Sequence, residues 1–155
     1  SLFTSHKIYS ETELHARYEI MLENYCKVLR IEALTMLDMV STDILPAVSD
    51  YTAKLMKTGA EKQSLLGESF GGYEMKTAAR LAELTDAASM DAAKLDEALL
   101  QAGEEADAEL AAKFYQAVVF KDMTELRLAV DEMETLTSRA CWPYPSYGEL
   151  MFSVR

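Results

Sequence analysis

Three long segments of this 155-residue chain contain no internal glycine, and in each of them apolar residues recur at steps of three and four. That spacing places the apolar side chains on one face of an α-helix. Glycines interrupt the pattern in two places, because four of the six lie between Lys57 and Tyr73 and a fifth is Gly103. We therefore expect one all-α domain, an antiparallel up-down-up bundle of three helices joined by short turns. The predicted domain covers residues 1–155, and the predicted helices cover about 11–57, 73–102 and 107–138.

The first helix has a clear start and one interruption. Ser10 is placed to cap its N-terminus, and Glu13, three residues later, is placed to complete a capping box. A continuous helix over 11–57 would be ~70 Å long. Pro46 lies inside this span, lacks a backbone donor and crowds the carbonyl four residues earlier. We expect a kink near Thr42 to Leu45 rather than a break.

The charge of the chain excludes two classes of partner. It carries 26 acidic and 15 basic residues, so its net charge at pH 7 is -11. A surface of that sign repels the phosphates of nucleic acids and the headgroups of anionic lipids. No apolar run approaches the ~18 residues of a transmembrane helix, and no signal segment opens the sequence. We expect a cytoplasmic protein with no nucleic-acid or membrane partner.

The predicted helices differ in length, and the difference leaves part of the first helix uncovered. The second and third, at about 30 residues each, can cover only ~45 Å of the first. With turns near Lys57 and Gly103, the covered part is the second half. The first half, residues 11–27, then needs another neighbour, because an exposed apolar surface of this size marks an interface. Its apolar side chains are Leu14, Tyr18, Ile20, Met21, Leu22 and Tyr25.

The chain closes on CWPYPSYGELMFSV, a segment that departs from the helical pattern. Because the rings of Pro143 and Pro145 favour an extended path, we expect residues 141–155 to form an extended tail that lies back on the bundle. Fourteen extended residues span up to ~46 Å, so the tail is one candidate to cover residues 11–27. A partner chain or an absent domain is the other. The aromatic side chains expected to fill grooves between helices are Trp142, Tyr144, Tyr147 and Phe152.

The two cysteines are not expected to pair. Cys26 lies low on the first helix and Cys141 follows the top of the third. The bundle would hold their Cα atoms much farther apart than the ~7 Å limit for a disulfide. Reduced thiols agree with a cytoplasmic setting. Neither histidine is close to a cysteine in the sequence, so a catalytic thiol is not predicted.

One helical face combines a histidine with carboxylates. Glu11, His15, Glu19 and Glu23 recur every four residues, as in part of a carboxylate and histidine metal site. A di-iron bundle needs Glu-x-x-His on each of two helices, and no second helix here carries that set. A solvated face is therefore the preferred interpretation, and a metal site is not predicted. His15 as the exposed histidine of a phosphotransfer bundle is a weaker hypothesis.

Two further segments have simple structural interpretations. Residues 83–109 contain nine acidic residues against one basic residue, Lys94. Such a run can bind a basic partner, but it is more often an exposed, solubilising end of a bundle. The sequence GESFGG, at Gly67 to Gly72, follows no strand and lacks the lysine of a phosphate-binding loop. It predicts a flexible turn.

Three segments of the chain resemble one known family. They are HARYEIMLENYCKVLRIEALTMLDMVSTDILPAV at His15 to Val48, LRLAVDEMETL at Leu126 to Leu136, and WPYPSYGELMFSV at Trp142 to Val154. The sequence resembles the C-terminal end of the type III glutamine synthetases, the large bacterial class. The resemblance covers about the first 56 and the last 40 residues. The middle, from Gly59 to about Lys113, matches only in being helical.

The resemblance implies a large homo-oligomeric enzyme that joins glutamate and ammonia at the expense of ATP, using divalent metals such as Mg²⁺. The family's metal, nucleotide and glutamate residues lie in a β-rich catalytic domain upstream of the matching segment. None of their motifs occurs here, so no catalytic, cofactor-binding or metal-binding residue is assigned to this chain. The chain is then expected to be a non-catalytic C-terminal fragment with a structural, oligomerisation or regulatory role. Its first helix would leave the catalytic domain near Phe3 and pack its apolar first half on that domain or on a neighbouring subunit.

Two alternatives from other classes remain. One is a free-standing acidic adaptor or scaffold that binds a protein partner through residues 83–109 or through the uncovered helix face. The other is a small metal or phosphotransfer bundle centred on His15.

Overall fold

Three long helical rods form the structure, a computed structural model that describes residues 9–145 and 147–152. Helix one consists of α1 (Glu11–Asp38), a π-helical segment π1 (Met39–Ile44) and α2 (Leu45–Leu66). Helix two is α3 (Gly72–Glu104). Helix three consists of α4 (Ala108–Phe114), a second π-helical segment π2 (Tyr115–Val119) and α5 (Phe120–Leu136). A short helix, α6 (Tyr147–Phe152), follows in the tail.

The helices pack as the up-down-up bundle that the glycine pattern predicts. We call the end of the bundle at Ser10 the lower end and the end at Gly67 the upper end. α2 packs along α3, α3 packs along α5, and α4 returns to α1. Toward the lower end, Arg30 Nη1 donates a 3.3 Å hydrogen bond to the carbonyl of Leu99, which ties helix one to helix two. The described ranges contain no strand, so the all-α prediction is confirmed.

Helix one begins at the predicted cap. The backbone N–H of Glu13 donates to Ser10 Oγ at 3.2 Å, and the backbone N–H of Ser10 donates to Glu13 Oε2 at 2.8 Å. These bonds satisfy donors that the first turn of a helix leaves without partners. Hydrogen bonds from Ser10 hold the pKa of the Glu13 carboxyl below its usual value. The capping-box prediction is therefore confirmed.

Helix one accommodates Pro46 without a break. The π-helical segment π1 occupies Met39–Ile44, the region where the sequence predicts a kink. At its end, the N–H of Leu45 donates to the carbonyl of Val40, five residues earlier. Pro46 then falls in the first turn of α2, where a missing N–H is least costly. The wider π-helical turn accommodates a ring that disrupts the regular bonding of an α-helix interior.

The turn between helices one and two lies later than the sequence predicts. Helix one ends at Leu66 and not near Lys57. Gly67 and Gly71 make the turn, with φ of 106° and 79°, values that favour glycine. Gly59, which the glycine pattern assigns to the turn, is buried in the interior of helix one. Because Gly59 has no side chain, helix one can pack closely against the turn at this position. The number of glycines in a segment does not show which of them form the turn and which allow close packing.

The core follows the contact lines of the three helices and ends before the lower end. Each fully buried large apolar side chain contributes about 1.5–3 kcal/mol. On helix two, the residues that recur at helical spacing in the sequence are all buried: Thr77, Leu81, Leu84, Ala88, Leu95 and Leu99. In α1, by contrast, the buried residues are Leu29 and Ala33, so the first half of α1 lies outside the core. The largest fully buried side chains are Leu81, Leu95, Leu126, Met133, Val40, Val48 and Val119.

Candidate interaction surfaces

The lower half of α1 is covered on one side by helix three. Tyr18, Leu22 and Tyr25 lie against the first turns of helix three across a shallow groove of about 330 Å³. The prediction that residues 11–27 lack a neighbour within the bundle is therefore wrong in part. Helix three runs parallel to helix one, and its start at Ala108 is low enough to reach Tyr18.

The opposite side of α1 is apolar and exposed. Ile20, Met21, Val28, Ile31 and Leu34 are 64, 72, 44, 65 and 45% exposed. At 3.6 residues per turn they lie on the side of the helix away from its buried residues. We call these five residues the outer face of α1. An exposed apolar face of this extent marks an interface.

A second apolar surface is a groove of about 540 Å³ between π1 and α5, which we call the π1 groove. Its walls are methionines and branched aliphatic side chains, and charged residues stand at its rim. On that rim Arg127 Nε lies 3.4 Å from Asp131 Oδ2. The sequence interpretation did not identify this groove, because Met36, Val40 and Ile44 recur at helical spacing and were expected to face the core of the bundle. The lining residues are Ile31, Glu32, Thr35, Met36, Met39, Val40, Ile44, Met123, Leu126, Arg127, Val130 and Asp131.

The first part of the tail packs on the bundle as predicted. Trp142 and Tyr144 are half-buried against the core. The Tyr144 hydroxyl donates a 2.6 Å hydrogen bond to Asp43 Oδ2, and this bond raises the pKa of Tyr144 to about 12. Lys54 Nζ lies 3.9 Å from the sulfur of Cys141. The groove-filling prediction is confirmed for Trp142 and Tyr144.

The end of the tail differs from the prediction. α6 is helical rather than extended, because the prolines constrain the chain only up to Pro145 and the following Glu-Leu-Met favours a helix. Phe152 is 82% exposed, so it fills no groove in this structure. Glu149 lies 3.7 Å from Arg139, which places α6 near the end of helix three rather than over residues 11–27. The side chain of Tyr147, and all of residues 146 and 153–155, lie outside the described part, as does Phe3.

The helical face that carries His15 is exposed and locally paired. His15 Nδ1 lies 3.3 Å from Glu19 Oε1, and Lys27 Nζ lies 3.3 Å from Glu23 Oε2. All four side chains are more than half exposed, as the solvated-face interpretation requires. Across residues 9–145 and 147–152, no three His, Cys, Asp or Glu side chains converge closely enough to hold a metal ion.

The acidic residues 83–109 follow helix two from its upper part to its lower end and continue through the turn into helix three. Asp107 caps α4 by accepting hydrogen bonds of 2.9 Å from the N–H groups of Glu109 and Leu110. Asp91 Oδ1 lies 2.7 Å from Lys94 Nζ. Part of the acidic run therefore stabilises the bundle's own helices, at the start of α4 through Asp107 and inside α3 through Asp91.

Both cysteines are free thiols. Burial raises the pKa of the Cys26 thiol, so this sulfur is a weaker nucleophile at neutral pH. In the part of the chain that the structure describes, no helix combines the length and the hydropathy of a membrane span.

Known proteins match this chain over 95–99% of its length. The family profile of the glutamine synthetase C-terminal domain matches residues 1–63. A glutamine synthetase of Butyrivibrio fibrisolvens is 36% identical over 154 residues, which are 99% of this chain and 22% of that protein. A type-3 glutamine synthetase of Dictyostelium discoideum is 27% identical over 97% of this chain and 21% of that protein. A glutamine synthetase of Bacteroides fragilis is 26% identical over 95% of this chain and 21% of that protein.

The match extends through residues 59–113, which the sequence resemblance left out. This chain spans about a fifth of the length of the relatives it matches. It belongs to the glutamine synthetases and corresponds to their C-terminal domain.

Proposed function

We propose that this domain is a non-catalytic, structural part of an enzyme that joins ammonia to glutamate at the expense of ATP. The nucleotide and the divalent metal, such as Mg²⁺, bind in the part of the enzyme outside this chain. The domain presents the outer face of α1 to that catalytic part or to a neighbouring subunit of a homo-oligomer. The enzyme works in the cytoplasm.

The exposed outer face of α1 is the observation that supports this role. Its five side chains follow α1 from Ile20 to Leu34, a distance of ~21 Å along the helix axis. Fully burying one such side chain contributes about 1.5–3 kcal/mol. Together they can stabilise a contact strongly enough to fix one domain on another. A water-exposed row of this kind would otherwise favour aggregation.

The experiment uses the full-length enzyme that contains this domain. The variant Ile20→Asp/Val28→Asp/Leu34→Asp places three charges on the outer face. The control is Leu128→Asp, because Leu128 is 67% exposed on helix three and lies outside both apolar surfaces. Light scattering measures the mass of the assembly, and the ATP-dependent formation of glutamine measures activity.

We expect the triple variant to lose assembled mass or to lose more than about tenfold in activity, since buried charges disrupt a contact. Circular dichroism of the 155-residue chain should stay unchanged in the variant, because all three positions face solvent in the isolated domain. Wild-type mass and activity in the triple variant would contradict the proposed role. The Leu128→Asp enzyme should behave as wild type.

A further inference from the structure

The tail carries a second apolar element, which is exposed at the end of the chain. Leu150, Met151 and Phe152 of α6 are 63, 57 and 82% exposed. These three consecutive apolar side chains therefore leave more than half of their surface in water in the isolated chain. Such a segment is typical of an arm that inserts into a groove on another surface.

The π1 groove has the chemistry that such an arm needs. Eight of its twelve lining residues are apolar, and three of those are methionines, Met36, Met39 and Met123. Methionine side chains adapt their shape and make favourable contacts with aromatic rings. The wide turn of π1 forms one wall, and π-helical turns occur frequently at functional sites.

The groove also continues from a contact that the tail already makes. Tyr144 is bonded to Asp43, and Asp43 is adjacent to Ile44 at the upper end of the groove. The tail of the same chain nevertheless turns away, because the contact between Glu149 and Arg139 places α6 beside the end of helix three. In the described part of the chain, α6 therefore does not fill its own groove, which can take the arm of another copy.

We propose that α6 of one copy of this chain inserts into the π1 groove of a second copy, with Phe152 and Met151 as its anchors. The exchange is reciprocal, so each copy contributes one arm and one groove to a twofold contact. The groove shares Ile31 with the outer face of α1, but the other four residues of that face lie outside the groove. The contact does not depend on the enzymatic activity proposed above.

The area of the reciprocal contact is sufficient for a specific dimer. A phenylalanine buries about 150–250 Å² and each of two aliphatic side chains buries about 60–120 Å². One arm and its groove together then bury about 600–900 Å², and two arms bury about 1,200–1,800 Å². That total lies in the range of stable, specific interfaces.

The first experiment compares three forms of the 155-residue chain, whose three helices enclose a core of their own. Sedimentation velocity between about 1 and 200 μM measures the mass. We expect the wild-type chain to approach twice its monomer mass of 17.3 kDa. Met151→Asp/Phe152→Asp should remain monomeric. The control Leu65→Asp/Leu66→Asp changes two exposed residues at the upper turn, 83 and 60% exposed, and should dimerise as wild type.

The second experiment identifies which copy supplies the arm. In a Cys26→Ala/Cys141→Ser background, a chain with Thr35→Cys in the groove is mixed with a chain with Met151→Cys in the arm. Thr35 is exposed and lines the groove, so its replacement leaves the core intact. Oxidation should give a covalent heterodimer, and the blocking variant Thr35→Arg should abolish dimerisation.

Each result decides the proposal. A wild-type chain that is monomeric at 200 μM overturns it, and so does a control that dissociates as fully as the arm variant. A chain carrying both cysteines that forms only an intramolecular disulfide would show that the arm closes on its own groove, which also overturns it. The variant Ile20→Asp/Leu34→Asp should dimerise normally, so failure of the outer-face role and failure of the arm exchange are distinguishable.

Discussion

A Cβ atom on Gly71 would lie 2.6 Å from the carbonyl oxygen of Gly59 and 3.1 Å from its Cα. The upper turn and helix one therefore touch backbone to backbone. Gly71 also has a φ of 79°, which residues with a side chain rarely adopt. The next residue, Gly72, has no atom within 4 Å of an added Cβ and starts α3.

Gly71→Ala should lower the free energy of unfolding by about 2–4 kcal/mol, because the methyl group combines left-handed strain with a clash against backbone. Gly72→Ala should be neutral or stabilise by up to about 1 kcal/mol. Urea unfolding followed by circular dichroism measures both variants. Equal stability of the two would contradict the close contact between Gly71 and Gly59.

Tyr144→Phe removes the hydrogen bond that fixes the tail to helix one. At pH 8 we expect a loss of about 1 kcal/mol, which lowers the Tm by about 2–4 °C in a domain of this size. Asp43→Ala should cost a similar amount. The double variant should cost less than the sum of the two, because both single changes remove the same bond. Strict additivity would show that the bond does not form in solution.

The same bond should make stability depend on alkaline pH. Asp43 raises the pKa of Tyr144 from 10.0 to about 12 in the folded chain, so the folded state keeps a proton that the unfolded state loses. The stabilisation is fully present below pH 10 and decreases as the pH rises toward 12. The difference in Tm between wild type and Tyr144→Phe should therefore narrow across this range. A Tm difference that stays constant from pH 10 to pH 12 would show that Asp43 does not raise the pKa of Tyr144.

Ser10→Ala should destabilise the first turns of α1 and leave the rest of the bundle unchanged. The change removes the acceptor of the Glu13 N–H and should cost about 1 kcal/mol at the helix start. Hydrogen exchange should accelerate in the first turns of α1 and stay unchanged at Leu81 in the core. Ser49→Ala, at an exposed position inside α2, is the control and should not accelerate exchange.

Local patterns in the sequence predicted those features that depend on residues close together in the chain. The cap at Ser10 depends on residues three apart, and the burial of Leu81 and Leu95 follows from helical spacing on helix two. The cap of α4 at Asp107 likewise lies at the predicted start of helix three. The packing of Trp142 and Tyr144 followed from their size and from the prolines beside them.

Features that depend on contacts between distant segments were not predictable in this way. The role of Gly59 depends on Gly71, which reaches it only after the turn forms. The two π-helical segments shift the register of helices one and three, and the regular spacing of apolar residues in the sequence did not predict this shift. The π1 groove forms because the register shift at π1 leaves space between helix one and α5.

Glu74 is buried at the upper turn, with a side chain only 11% exposed, and its carboxylate accepts a hydrogen bond from Lys62 Nζ. This bond, together with one from its own backbone, holds the pKa of Glu74 below its usual value of 4.5. A lowered pKa means that the unfolded state takes up a proton first as the pH falls. The stabilisation from this pair is therefore present above about pH 4.5 and decreases at lower pH.

Lys62→Met should lower the Tm clearly at pH 7, because it leaves a buried carboxylate without its cationic partner. The difference from wild type should shrink as the pH falls from 4.5 through the lowered pKa of Glu74, since a protonated carboxyl group no longer needs a cationic partner. Lys57→Met is the matched control, because Lys57 and Glu61 lie 4.0 Å apart and are 77 and 61% exposed. An exposed pair of this kind contributes little, so the control should shift the Tm by less than about 2 °C. A Tm difference for Lys62→Met that stays constant from pH 7 to pH 3 would mean that the lysine acts through its aliphatic stem rather than through the charge of Glu74.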